Sequence, residues 1–134
     1  MTVFDGTTRP DTALFFKSQD PNDKKFGDIV AYREEDYAKS KFVIVGSPHD
    51  EGVRRNNGRV GAAEAPDKIR QALYKISAPA KLKAGQLFDT GNIQIAATLE
   101  ETHESQTRVV AQIIQDGKIA IVLGGGNDIS YPDC

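Results

Sequence analysis

The sequence is poor in the residues that most often build metal and redox sites. Of its 134 residues one is cysteine, Cys134, and two are histidine, His49 and His103. A single thiol excludes an intrachain disulfide and any cysteine-based zinc site. No apolar run is long enough to span a bilayer. The first residues, Met1 to Asp11, are polar and lack the apolar stretch of a secretory signal. Neither sign of charge is in large excess. A formal net charge of −2 gives no electrostatic reason to expect nucleic acid or an anionic membrane as a partner. A cytoplasmic setting is the default expectation.

What is present describes a soluble globular chain, with 39% hydrophobic and 27% charged residues in a length suited to one domain. Residues 1–40 read as an irregular, polar segment. Asp20-Pro21-Asn22-Asp23 has turn composition, Gly27 to Val30 reads as a short extended piece, and Lys17, Lys24 and Lys25 read as a solvated face. Residues 41–134 read as strand, helix, strand, helix, strand. Phe42 to Gly46 is a β-branched apolar run without polar alternation, which suits a strand buried on both faces of a parallel sheet. A helix starts near Ala65-Pro66, where a proline costs no hydrogen bond. Ile69, Leu73 and Ile76 give it one apolar face, and Pro79 closes it. Gln86 to Asp89 is the second strand, ending at Gly91. Thr98 and Glu101 have capping-box spacing at the head of a helix running to Gln115. Its stripe is Leu99, Val109, Val110, Ile113 and Ile114, and Asp116-Gly117 ends it. Lys118 to Leu123 is the third strand.

This order predicts an α/β fold with a parallel sheet, because strand–helix–strand crossovers lay successive strands side by side in one direction. Ligands of such sheets sit beyond the carboxyl ends of the strands. The two loops richest in polar and glycine residues, 47–61 and 124–131, both leave carboxyl ends. They are therefore expected to face one pocket. The first offers arginine forks for a carboxylate or phosphate. Its His49-Asp50-Glu51 triplet is read as loop, since adjacent residues rarely converge on one ion. No phosphate-loop pattern is present. In the second loop Gly124-Gly125-Gly126 permits a sharp turn, and Asn127 and Asp128 follow it. Asp128 has an alternative role as a helix cap. His103 is assigned to the solvent face of the second helix.

The two loops resemble the first two hallmarks of the ureohydrolases, the family of arginases, agmatinases and formiminoglutamases. That family has Gly-x-Pro-x-Asp-x-Gly after its opening strand, and here Gly46-Ser47-Pro48-His49-Asp50-Glu51-Gly52 stands in that place. Its Gly-Pro-x-x-Ile-Arg segment is matched by Ala65-Pro66-Asp67-Lys68-Ile69-Arg70. The Arg55 to Ala62 stretch and the upstream Asp20 to Asp28 are most similar to the formiminoglutamase branch. The resemblance implies a three-layer α/β sandwich, of which this chain is expected to be the N-terminal part of a single domain. It implies hydrolysis of a linear amidine or guanidino C–N bond with a pair of Mn2+ ions that activate water at neutral pH. Formiminoglutamate would give glutamate and formamide. It also implies a small-molecule substrate and a homo-oligomer.

By family position, Asn56 and Arg59 line the substrate mouth, Asp50 and Asp128 support the site from behind, and Asn127 takes the place of a histidine metal ligand. A neutral amide oxygen is a weaker donor to a transition metal than imidazole. The family's Asp-x-His-x-Asp and Asp-x-Asp ligand sets do not occur in these residues. The chain alone is therefore expected to be inactive, with no catalytic residue of its own, and to leave its third strand with a free edge. Two readings compete: a metal-deficient relative that regulates an active partner, and a small flavodoxin-like binding module.

Overall fold

The computed structural model describes residues 2–134; Met1, part of the polar N-terminal stretch, lies outside them. Among the described residues four strands form one sheet: β1 (Thr7–Thr8), β2 (Phe42–Gly46), β3 (Leu87–Ile93) and β4 (Ile119–Leu123), in the order β1-β3-β2-β4. β2 is parallel to both of its neighbours, β3 and β4, as the strand–helix–strand order requires. β1 was not legible in the sequence; it adds an antiparallel edge to β3. The helices are α1 (Phe26–Ile29), α2 (Glu51–Arg55), α3 (Ala65–Leu73) and α4 (Leu99–Gln115), joined by short 3-10 turns.

Successive side chains of a strand point to opposite faces, and here each face has its own core. Val43 and Val45 pack with Val3, Phe88, Ile93, Val109 and Ile113 on the α4 side. Ile44 packs with Phe15, Val30, Tyr74, Leu87 and Leu123 on the α3 side. Helix α4 begins where the capping spacing places it, with the Thr98 hydroxyl accepting from the Glu101 N–H at 3.2 Å. Asp116 and Gly117, the latter at φ +77°, end it.

The sequence reading needs several corrections. The second strand does not end at Gly91 but runs on to Ile93, and the stretch 47–61, read as loop, contains α2. Gly27 to Ile29 is helical rather than extended, and only Val30 has extended geometry. The segment before residue 40 is irregular but not merely polar, since Val3, Phe15, Ile29 and Val30 are buried. Lys25 is half-buried between Asp23 and Ser77 rather than solvated. The helix faces also differ. In α4 Ile114 is exposed, and Thr102 and Gln106 extend the buried stripe instead. In α3 Ile69 is exposed, as is Ile76 beyond its end, while Pro66, Arg70 and Tyr74, spaced by four, turn inward.

The inward turn of α3 has an electrostatic cause. Arg70 is 1% exposed and forks onto Asp89 of β3, which is fully buried, with Nε and one Nη donating at 2.8 and 3.0 Å. Its remaining N–H groups reach Asn92 Oδ1 at 2.6 Å and the Gly91 carbonyl at 2.9 Å. The Tyr74 hydroxyl also donates to Asp89. Burial opposes the charge of Arg70, but the facing carboxylate outweighs it and raises its pKa. Gly91 has φ +91°, and a Cβ there would run into the Thr8 carbonyl. Only glycine lets β3 continue past this point alongside β1. At the other side of the sheet β4 is an edge among the described residues, with Ile119 and Ile121 50% and 39% exposed.

Candidate functional site

Three segments meet beyond the carboxyl ends of β2 and β4. The first is the loop after β2, where Ser47 and His49 are buried. The second is the turn after β4, a 3-10 helix over Asn127–Ser130. The third is the beginning of α4. Main chain stitches the first two together: Ser47 N–H donates to the Leu123 carbonyl, Gly125 N–H to the Ser47 carbonyl and Gly126 N–H to the His49 carbonyl, at 2.9, 3.2 and 3.0 Å. Gly125 is obligatory for this approach, because a Cβ would occupy the space of the Ser47 and His49 carbonyl oxygens. Gln106 of α4 completes the join. Its side chain accepts from the Ser47 hydroxyl at 2.7 Å and donates to the Ile129 carbonyl at 3.2 Å and to Asp133 at 2.6 Å. Loops 47–61 and 124–131 therefore share one end of the sheet.

At the centre of this junction are His49, His103 and Asp128. His103 Nε2 lies 2.6 Å from Asp128 Oδ2, and His49 Nδ1 lies 3.9 Å from the same oxygen. One ligand atom from each of the three falls within 4.8 Å of the others. His49 is 6% exposed, and neither of its ring nitrogens has a hydrogen-bond partner among the described residues; Asp128 Oδ1 also has none. A buried polar atom left unpaired costs about 1–3 kcal/mol, so three at one point mark a place built for something more than packing. Burial pushes the His49 imidazole below its ordinary pKa against the pull of Asp128, which favours the neutral ring.

The residues selected from the sequence fall at different depths. Asp50 pins the first loop across its base, where its Oδ2 accepts from the Gly61 and Ala63 N–H groups at 2.7 and 3.3 Å. Asn56 and Arg59 are exposed on the outer part of that loop. They do not line the cleft of about 370 Å³ beside His49, whose walls include Glu51, Arg55, Thr98 and Thr102. Arg55 spans from the loop to the first turn of α4, pairing with Glu51 and with Glu100 at 2.6 Å. Asn127 is exposed at the start of the turn, one residue before the half-buried Asp128. His103 is not on a solvent face; its side chain is 16% exposed and turned to Asp128. The signal was present in α4. Thr102 and Gln106 continue the buried stripe toward the N-terminus with polar residues, which identifies that end of the helix as a polar junction.

A parallel α/β sheet with its polar cleft at the carboxyl ends of the strands defines the class. Residues 40–134 match the family model described as "Arginase family", and the chain belongs to the arginase family. It is 40% identical over 90 residues to the formimidoylglutamase of Nocardia farcinica, a match covering 66% of this chain and 28% of that protein. It is also 40% identical to the formimidoylglutamase of Paraburkholderia xenovorans, covering 66% and 27%. The chain thus spans somewhat over a quarter of the length of the curated relatives it matches. Among solved structures, Trypanosoma cruzi formiminoglutamase with Mn2+ aligns at TM-score 0.71 and 37% identity, over 83% of this chain and 38% of that one. An asparagine-to-histidine variant of that enzyme, also with Mn2+, aligns at TM-score 0.65 and 32% identity, over 93% and 38%. The fold is accordingly that of the arginase family, whose sheet carries helices on both faces.

Proposed function

We propose that this chain forms part of the catalytic fold of a hydrolase that cleaves the C–N bond of a linear amidine, with formiminoglutamate, giving glutamate and formamide, as substrate. The observation that supports this most is the main-chain stitch between the two motif-bearing loops, which brings the family's first two hallmarks together at one end of the sheet. The similarity to formimidoylglutamases favours that substrate over guanidino compounds. A small-molecule amidine, a homo-oligomeric assembly and a cytoplasmic setting belong to the same reading.

Manganese is the metal this reading implies, and it supplies a water nucleophile at neutral pH when bound. Asn127 stands at the mouth of the turn after β4 and offers one neutral oxygen. That single donor does not build a binuclear centre, and the His49, His103 and Asp128 groups form a separate set directed inward. What the chain's own residues do is position. Asp50 clamps the base of the 56–61 stretch, and Asn56 and Arg59 stand exposed above it. A guanidinium fork there suits the carboxylates of an amino-acid substrate. The polypeptide carrying this sequence, loaded with Mn2+, is expected to release glutamate from formiminoglutamate. Arg59→Ala is expected to raise KM more than it lowers kcat; an unchanged KM removes Arg59 from the site. Urea release from arginine or agmatine in place of glutamate would move the substrate class.

Asn127 itself favours a second reading, a relative with weakened metal binding that regulates an active partner. That T. cruzi formiminoglutamase is crystallised with Mn2+ both as such and as an asparagine-to-histidine variant weighs toward the catalytic reading. Asn127→His is expected to tighten Mn2+ binding by roughly tenfold or more, the scale on which changes around a metal alter affinity. Equal affinities in an equilibrium dialysis measurement would mean that position 127 holds no metal.

A further inference from the structure

We propose that His49, His103 and Asp128 form a second metal site, for a single divalent ion of the zinc, cobalt or nickel type, distinct from the manganese position at Asn127. The inference does not depend on amidine hydrolysis. Three observations carry it. The donors come from three different segments, the loop after β2, helix α4 and the turn after β4, yet their ligand atoms lie within 4.8 Å of one another. His49 is buried with both ring nitrogens unpartnered among the described residues, and the Asp128 Oδ1 atom is buried and unpartnered beside it. The backbone around the cluster is fixed, by the Gly126 N–H bond to the His49 carbonyl and by Gly52, where a Cβ would strike the Asp128 carboxylate.

The donor set selects the ion. Two imidazoles and one carboxylate, with no thiol, suit zinc-like transition ions; magnesium and calcium take oxygen shells of six or more. Bonds of about 2.0–2.1 Å around a tetrahedral ion put neighbouring ligand atoms about 3.3 Å apart. The His103–Asp128 contact of 2.6 Å and the His49–Asp128 contact of 3.9 Å bracket that spacing. The His49–His103 pair lies within 4.8 Å, so side-chain adjustments alone, on the order of an ångström, bring the three donors to that spacing. The cleft that His49 lines opens its side of the cluster to solvent. An ion held here would tie the loop after β2, the turn after β4 and α4 into one unit.

The test uses the chain without any added histidine tag, so that its two histidines are the only imidazoles. Zn2+ titration followed by histidine side-chain NMR is expected to move both imidazole signals together and saturate at one equivalent. Co2+ is expected to develop the visible bands of an imidazole-ligated ion with the same stoichiometry. His103→Gln and His49→Phe are each expected to weaken Co2+ binding at least about tenfold, whereas Asn127→Ala leaves it in place. The proposal is overturned if the wild-type signals stay still or only one of them moves. It is equally overturned if Asn127→Ala abolishes binding that both histidine variants retain. The NMR arm needs no substitution and so stands even where a variant fails to fold.

Discussion

Arg70→Ala is expected to lower the unfolding free energy by about 3–5 kcal/mol, the range for breaking a buried ion pair from one side. Asp89 is fully buried and takes two of its hydrogen bonds from the Arg70 fork. Without the guanidinium its charge keeps only the Tyr74 hydroxyl and the Gly91 N–H. The loss would also free Asn92 and the Gly91 carbonyl, so the bulged end of β3 loosens with it. Lysine is a poor substitute, because one ammonium cannot reproduce a planar two-pronged contact. The double change Arg70→Met with Asp89→Leu is expected to recover much of the stability, since an apolar replacement of a whole buried pair is often neutral. Urea unfolding of the three variants decides this. If Arg70→Ala unfolds within about 0.5 kcal/mol of the parent, a size typical of surface changes, the pair is not holding α3 to the sheet.

Phe88→Ala is expected to cost about 3–5 kcal/mol through the cavity it leaves. Phe88 is fully buried in β3 and meets Phe4 and Tyr37 edge to face, with ring centroids 6.0 and 5.3 Å away. Its neighbours in the chain also receive the N-terminal segment: Ala31 N–H donates to the Leu87 carbonyl, and Asp89 N–H donates to the Ala31 carbonyl. Truncation should therefore release residues 2–40 as well as soften the core. Limited proteolysis is expected to cut first in that segment, with a lower urea midpoint. Cleavage first in α4 would show that the N-terminal segment is held by something other than this ring.

The three long strands and the two longer helices were legible because each carries a run or period that local chemistry dictates. The β-branched run Val43 to Val45 suits a doubly buried strand, and Thr98 marks the start of α4 by its hydroxyl. The inward face of α3 was hidden, because apolar periodicity cannot show that the most buried side chain is an arginine. Its partner lies 19 residues away in β3. β1 is two residues long and owes its place to Gly91, which no pattern around Thr7 announces. For the site, the convergence of the two strand-end loops was readable from strand order. The meeting of His49 with His103 was not: the two are 54 positions apart, and their approach depends on the roll of α4 about its own axis. Asn127 was singled out by motif alone, as nothing in its immediate chemistry distinguishes it from a turn residue.

The contacts that seat the loop after β2 against the turn after β4 run largely through peptide groups, with glycine at the closest approach and Gln106 bridging from α4. Side chains at the mouth therefore carry little of the architecture. Asn127 is exposed at the start of that turn and takes no part in these main-chain contacts, so an exchange there, histidine for asparagine or the reverse, leaves the seam intact. Under the proposed function, a donor at that position can be exchanged in a single step without disturbing the scaffold.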